Sequence, residues 1–196
     1  MQSLPVVYLA RHGETAWSLS GQHTGLTDLP LTEQGEHAAR RLRARLDCIS
    51  FATVLTSPLQ RAVATGRLAG FGDRAQPDPD LVEWNYGDYE GLTSAQIRAE
   101  RPNWDLFSEG CPNGESPEQI GARADRVVAR LRAADGDALV FSSGHILRVV
   151  AARWLGLAPA AARYFVLQTA SVSILGYEHG PESPAIRLWD ETLRAR

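Results

Sequence analysis

Three short runs, apolar in the main and unbroken by charge, set the frame of this chain: residues 6–10 (VVYLA), 53–56 (TVLT) and 138–141 (ALVF). Runs without polar alternation are buried on both faces, as strands of a parallel sheet covered by helices are. Helical spacing separates them. Leu31, Gly35, Ala38, Leu42 and Leu46 form one stripe and predict a helix over 32–46, with Glu33, Arg40, Arg41 and Arg45 mostly off it as a solvated face. Ser116 as N-cap with Pro117 behind it predicts a helix over 116–133, burying Ile120, Ala124, Val127, Val128 and Leu131. Ser57 with Pro58 reads as the start of another helix, and His145 opens one that continues through Val149, Val150 and Trp154. Residues 164–168, 171–177 and 185–189 read as strands completing the sheet. Strands alternating with helices predict an α/β fold around a mostly parallel sheet. Residues 76–116 depart from this rhythm: rich in Pro, Gly, Asp and aromatics, they hold one helical stretch near 94–99. Long irregular insertions of this kind commonly form walls or lids over a site.

The segments just beyond these strands carry the chemistry. Ligands of open α/β sheets sit beyond the carboxyl ends of the strands. The first run leads into Arg11-His12-Gly13-Glu14-Thr15, the second into Ser57-Pro58-Leu59-Gln60-Arg61, the third into Ser142-Ser143-Gly144-His145. Two Arg, with donors forked to suit phosphate, and two His, able to act as base, acid or nucleophile, thus converge on one sheet edge. Gly144 lets backbone approach a ligand closely. Glu83, Asp88 and Glu90 are the acids of the insertion; Glu83 sits in sequence among Trp84, Tyr86 and Tyr89, a setting suited to a proton donor.

Arg11-His12-Gly13-Glu14-Thr15 with the later Gly144-His145 resembles the histidine phosphatase (phosphoglycerate mutase-like) superfamily over about residues 6–177. The blocks GQHTGLTDLPLT (21–32), EWNYGDYEG (83–91) and GCPNGES (110–116) are closer to a phosphatase branch holding sedoheptulose-bisphosphatase-like and mycobacterial acid-phosphatase-like proteins. The resemblance implies a three-layer α/β/α sandwich. It also implies His12 as nucleophile, with Arg11, Arg61 and His145 around the phosphoryl group and Glu83 as general acid, leaving Asp88 and Glu90 as turn or hydrogen-bonding residues. Ser18, Thr24 and the Gly25 backbone fall where relatives meet the phosphate, although turn capping explains Ser18 and Thr24 equally well. Tyr86 fits a substrate wall or a packed core ring, and Arg98 and Arg101 fit either a second phosphate or solvent. His23 lies beside the phosphate-binding loop, whereas His37 and His179 read as surface residues.

Size and composition narrow the alternatives. The 196 residues suit a single domain, 1–196, with 76–116 as a substrate-covering insertion. A net charge of −3 argues against a nucleic-acid surface, and no stretch approaches a membrane span. Cys48, read as core, and Cys111, read as bordering the site, have neither metal nor disulfide spacing. The expectation is therefore an enzyme with no cofactor and no metal, in the reducing cytoplasm. Its partner is a small phosphorylated metabolite, without nucleic acid or membrane, and a homo-oligomer is left open. A metallohydrolase lacks its ligand spacing. A mutase would want cations that 92–97 and 103–116 do not supply, the latter holding Asp105, Glu109 and Glu115 instead. A non-catalytic phosphate-binding regulator would show a lost His or acid, and none is lost.

Overall fold

The computed structural model describes residues 4–193 and centres on a six-stranded sheet of order β3-β2-β4-β1-β5-β6. Strands β1 (Val7–Arg11), β2 (Thr53–Thr56), β3 (Gln76–Pro77) and β4 (Ala138–Ser142) are parallel; β5 (Ser171–Tyr177) and β6 (Pro184–Thr192) return antiparallel on one side. The helices are α1 (Ala16–Ser20), α2 (Glu33–Leu46), α3 (Gln60–Leu68), α4 (Ser94–Glu100), α5 (Leu106–Glu109), α6 (Pro117–Arg132) and α7 (Gly144–Trp154).

Side chains alternate across a strand, and here both faces are covered. Val7, Leu9, Val140 and Leu175 meet Ile120, Ala124, Val127 and Leu131 of α6 and Ile146, Val150 and Trp154 of α7 in one cluster. Ala10, Leu139, Phe141 and Val172 meet Leu42 and Leu46 of α2, with Phe51 and Phe71, in the other. The result is the expected three-layer sandwich. Each fully buried Leu, Ile or Phe contributes about 1.5–3 kcal/mol of transfer free energy, so the central strands are anchored from above and below. β1 and β4 pair in register from Val7–Ala138 to Arg11–Ser142. This pairing brings His12 and the start of α7 to the same sheet edge.

The cap of α6 forms where the sequence predicts it, Ser116 and Gln119 making a reciprocal capping box; α2 is capped by Thr32, whose side chain accepts from Gly35 N. Four expectations need correction. Helix α3 begins at Gln60, with Leu59 at its N-cap position, and Ser57 only accepts a 3.4 Å bond from Leu59 N. Its first turn is held instead by Asp28, whose Oδ1 accepts from Gln60 N at 2.8 Å. Residues 164–168 are not a strand: a 3-10 helix, Pro159–Tyr164, runs into irregular chain, and Tyr164 and Val166 point to solvent. Cys48 is exposed, just beyond the end of α2, not in the core. The segment 76–116 contains α5 as well as the expected α4.

Candidate active site

His12 stands one residue beyond β1 with its main chain fixed on both sides: its N–H donates to Ser142 O at 2.9 Å, and its carbonyl accepts from Ala170 N at 3.0 Å. The ring is buried. Nδ1 lies 2.6 Å from Gly13 O, and a carbonyl can only accept, so Nδ1 carries the proton and Nε2 the lone pair. Burial first, then the charges of Arg11 and Arg61, pushes His12 well below the ordinary histidine range. It is a neutral imidazole, and it lines a cavity of about 260 Å³ with the Nε2 lone pair unclaimed by any hydrogen bond among the described residues.

Arg11 lines that cavity. One Nη donates to Leu167 O, while Nε is the buried side-chain nitrogen or oxygen that lacks a partner among the described residues. The other Nη has no partner among the described residues and, unlike Nε, is not sealed from the cavity, so a guanidinium donor beside a neutral histidine is open to an anion. Gly144 suits this packing: a Cβ there would fall 3.2 Å from Arg11 Cζ and Nε and press on the guanidinium.

Glu83, buried in the same cavity, is held by three peptide donors. Oε1 accepts from Trp84 N and Ile146 N, Oε2 from His145 N. Two of these belong to the first turn of α7. The loop carrying Glu83 is tied down by Arg123 of α6, which donates to the carbonyls of Asp80, Val82 and Glu83 and pairs with Glu115 at 2.7 Å. Glu115 in turn accepts from Asn85 N. Arg123 gives no signal in the sequence, where an Arg on an amphipathic helix reads as solvated.

His145 Nδ1 is 2.5 Å from the Tyr86 hydroxyl, and both residues line the cavity. Burial, reinforced by Arg148, His23 and Arg11, drives His145 well below its ordinary range. Its 3.8 Å approach to Glu83 Oε2 is therefore no ion pair. Burial pushes the Tyr86 phenol well above 10. The Tyr86 ring is buried against His23, and its hydroxyl is turned to His145 Nδ1.

Arg61 and Gly25 are placed differently from the expectation. Arg61 is fully buried behind the wall and does not line the cavity. Its guanidinium donates to Thr24 O, Gly25 O and Thr27 O and to Ser143 Oγ, so it fastens the 24–27 loop and adds charge near His12. Gly25 N–H is taken by Glu90 Oε1 at 2.8 Å, which leaves no peptide donor there for a phosphate. A Cβ on Gly25 would strike Glu90 and Trp84 O at 2.5 Å, which explains the glycine. Glu90 is thus a loop clamp, as a hydrogen-bonding residue should be. Ser18 and Thr24 do line the cavity, although Ser18 also serves the cap of α1 with Thr15.

Arg98 and Arg101 are absent from the lining, bonded instead to Trp104 O and to Tyr89 and Glu109. The cation that stands there in their place is Arg148, three residues past His145 on α7, which the sequence reading missed. It lines the cavity, is anchored to Ala162 O and Arg163 O, and stacks 4.5 Å from the centre of Phe107. The i, i+3 spacing is the signal that could have found it. Cys111 is half-buried, outside the lining, and raised to about 12 by burial. Among the described residues no group of three His, Cys, Asp or Glu is placed to hold a metal ion, and no helix is long and apolar enough to cross a membrane.

Burial also lowers His23 to about 4. Unfolding returns His12, His23 and His145 to about 6.5, so below that pH the unfolded chain takes up protons that the folded one refuses. Stability should therefore fall as pH drops from 6.5 toward 4, by about 1.4 kcal/mol per pH unit for each imidazole. Urea midpoints measured across that range should decline, and less steeply in His23→Asn. A flat profile would mean that the rings are not held neutral.

A neutral histidine with an open Nε2, an arginine with a free Nη donor and a carboxyl group at the parallel-strand ends of an α/β sandwich define a protein that handles anionic, phosphoryl-like groups. Comparison with known proteins gives the particular family. The model of the histidine phosphatase superfamily (branch 1) matches residues 7–192, and the chain belongs to that superfamily. It is 42% identical over 183 residues to an acid phosphatase of Mycobacterium tuberculosis, covering 91% of this chain and 89% of the relative. It is 39% identical over 186 residues to sedoheptulose 1,7-bisphosphatase of Saccharomyces cerevisiae, covering 78% and 68%. The probable phosphoglycerate mutase of Photorhabdus laumondii is more distant, 32% identical, covering 89% and 86%. A solved structure of a Mycobacterium tuberculosis open reading frame product superposes with a TM-score of 0.89 at 39% identity, covering 96% of this chain and 98% of that one. The chain is a phosphatase of the histidine type.

Proposed function

We propose that this enzyme hydrolyses a small phosphorylated metabolite, a sugar phosphate or bisphosphate, through a phosphohistidine at His12. The observation that carries the reading is the pairing of an open Nε2 on a neutral His12 with the unpaired Nη of Arg11 in one cavity. Nε2 attacks phosphorus in line, the new N–P bond forming as the ester P–O bond breaks. Arg11, with His145 opposite, binds the equatorial oxygens, where charge is spread in the transition state. Glu83 gives the leaving oxygen its proton. Oε2 suits this best, since it accepts from one peptide donor where Oε1 accepts from two. The resulting carboxylate then takes a proton from water as that water attacks phosphorus; the new P–O bond forms as the N–P bond breaks, phosphate leaves, and His12 returns as the neutral imidazole with its lone pair on Nε2. No step calls on a metal or cofactor.

Segment 76–116 acts as the wall over the substrate, through Glu83, Tyr86 and Ser94. Arg148, the added cation of the lining, suits a substrate bearing a second acidic group. We place the enzyme in the cytoplasm, where its two free cysteines remain reduced, and treat residues 1–196 as one domain.

A panel of phosphorylated metabolites assayed for free phosphate tests the reading. The same fold could instead run a mutase, and the surroundings argue against it: Asp105, Glu109 and Glu115 are each paired, with Arg163, Arg101 and Arg123. Given 3-phosphoglycerate with 2,3-bisphosphoglycerate, the enzyme should release phosphate faster than it forms 2-phosphoglycerate. Isomer formation outpacing release would make it a mutase.

A further inference from the structure

We propose that Tyr86 is a positioning residue for phosphoryl transfer: its buried hydroxyl donates to Nδ1 of His145 and so keeps the ring proton on Nε2, the nitrogen that faces the cavity. The catalytic part of this proposal rests on the phosphatase reading above; the protonation pattern itself does not.

The 2.5 Å contact between the hydroxyl and Nδ1 holds one proton and admits two arrangements. In the first, the phenol donates and Nδ1 accepts, so the neutral ring carries its hydrogen on Nε2. In the second, Nδ1–H donates to the phenol oxygen, and the phenol hydrogen must then find another acceptor. Among the described residues the hydroxyl has no other partner. The nearby Glu83 carboxyl group accepts from three peptide N–H groups and not from this hydroxyl, and its 3.8 Å separation from Nδ1 is too long for a hydrogen bond. The second arrangement therefore strands a buried hydroxyl hydrogen, which costs more than a bond made and exchanged with water. It also turns the Nε2 lone pair toward the place where phosphate oxygens would sit. In the first, every donor and acceptor is used: the phenol is satisfied, and Nε2–H, which has no protein partner and is not sealed from the cavity, is available to an anion. Burial keeps the phenol protonated and the ring neutral, which both arrangements require.

Two histidines of one site thus have opposite tautomers fixed by different neighbours. The Gly13 carbonyl fixes His12 with Nε2 as a lone pair for attack; the Tyr86 hydroxyl fixes His145 with Nε2 as a donor. A ring that serves packing alone would touch His23 at the 4.7 Å centroid distance seen here but would leave the tautomer of His145 unset.

The test is long-range nitrogen–proton NMR on wild-type enzyme labelled in histidine, with His145→Asn used to assign the signals. The wild type should show a protonated Nε2 and an imine-type Nδ1 at His145, and the reverse pattern at His12. Tyr86→Phe, which keeps the ring and removes the oxygen, should shift His145 to a mixture of tautomers. His12 should be unchanged, and kcat should fall by up to about tenfold (~1.4 kcal/mol) with little change in KM. A wild-type His145 protonated at Nδ1, or a Tyr86→Phe spectrum identical to wild type, overturns the proposal. Because the wild-type spectrum alone decides the first point, a variant that fails to fold does not shelter it. Failure of the phosphatase reading would show instead as absent phosphate release with the tautomer pattern intact.

Discussion

Replacing His12 by Ala is expected to lower phosphatase turnover by on the order of 10⁴–10⁶-fold, as loss of a covalent nucleophile does in other enzymes. The scale reflects the geometry around the ring. Its Nδ1 proton is committed to Gly13 O, the backbone is held by Ser142 and Ala170, and burial keeps the imidazole neutral. The lone pair on Nε2 is thus aimed and ready before substrate arrives, and Ala leaves only bound water as attacking group. The remaining cavity, with Arg11, Glu83 and His145 in place, should still bind inorganic phosphate. Retention of wild-type turnover by His12→Ala would remove the nucleophile assignment.

Glu83→Gln should give the second-largest effect, and one that depends on the leaving group. A sugar alkoxide is strongly basic and needs its proton during cleavage, for which a positioned acid contributes about 10²–10⁴-fold. A nitrophenolate leaves readily without one. Phosphoenzyme formation from a sugar phosphate should therefore slow far more than that from p-nitrophenyl phosphate. Single-turnover measurements isolate this step from the later hydrolysis, which is common to both substrates and draws on the same carboxylate. Gln keeps one acceptor oxygen, enough for Trp84 N and Ile146 N, and gives up the acceptor of His145 N, so circular dichroism and a urea midpoint should accompany the kinetics to show that the loop stays in place. Equal losses with the two substrates would mean that Glu83 orders the turn at Trp84, Ile146 and His145 without donating a proton.

The central strands are legible because both their faces are covered: β4 is buried from end to end, and an unbroken apolar run records that directly, whereas the half-exposed β6 is legible from its composition alone. Residues 164–168 have strand-like composition, yet Tyr164 and Val166 face solvent and no neighbouring strand pairs with them. Composition alone carries no information about a partner. The start of α3 is hidden for a related reason, since its cap comes from Asp28, more than thirty residues earlier. At the site, Arg11, His12, Glu83 and His145 can be picked out because strand ends and motif blocks fix them. The roles of Arg61, Glu90 and Arg123 cannot. Each spends its charge on main-chain groups of a loop distant in sequence, an arrangement that only the folded chain creates. Arg148 is within reach of sequence reasoning, one turn from His145 on the same helix face, but nothing in its own neighbourhood sets it apart from an ordinary helical cation.

The central claim is covalent transfer to His12, and trapping the intermediate tests it most directly. Enzyme mixed with a labelled phosphorylated substrate, quenched within one turnover into alkaline detergent and digested, should carry one phosphate on the peptide containing His12, stable to base and lost in mild acid. Stoichiometric release of the leaving group with no phosphate on that peptide, or with phosphate on another residue, would contradict the account.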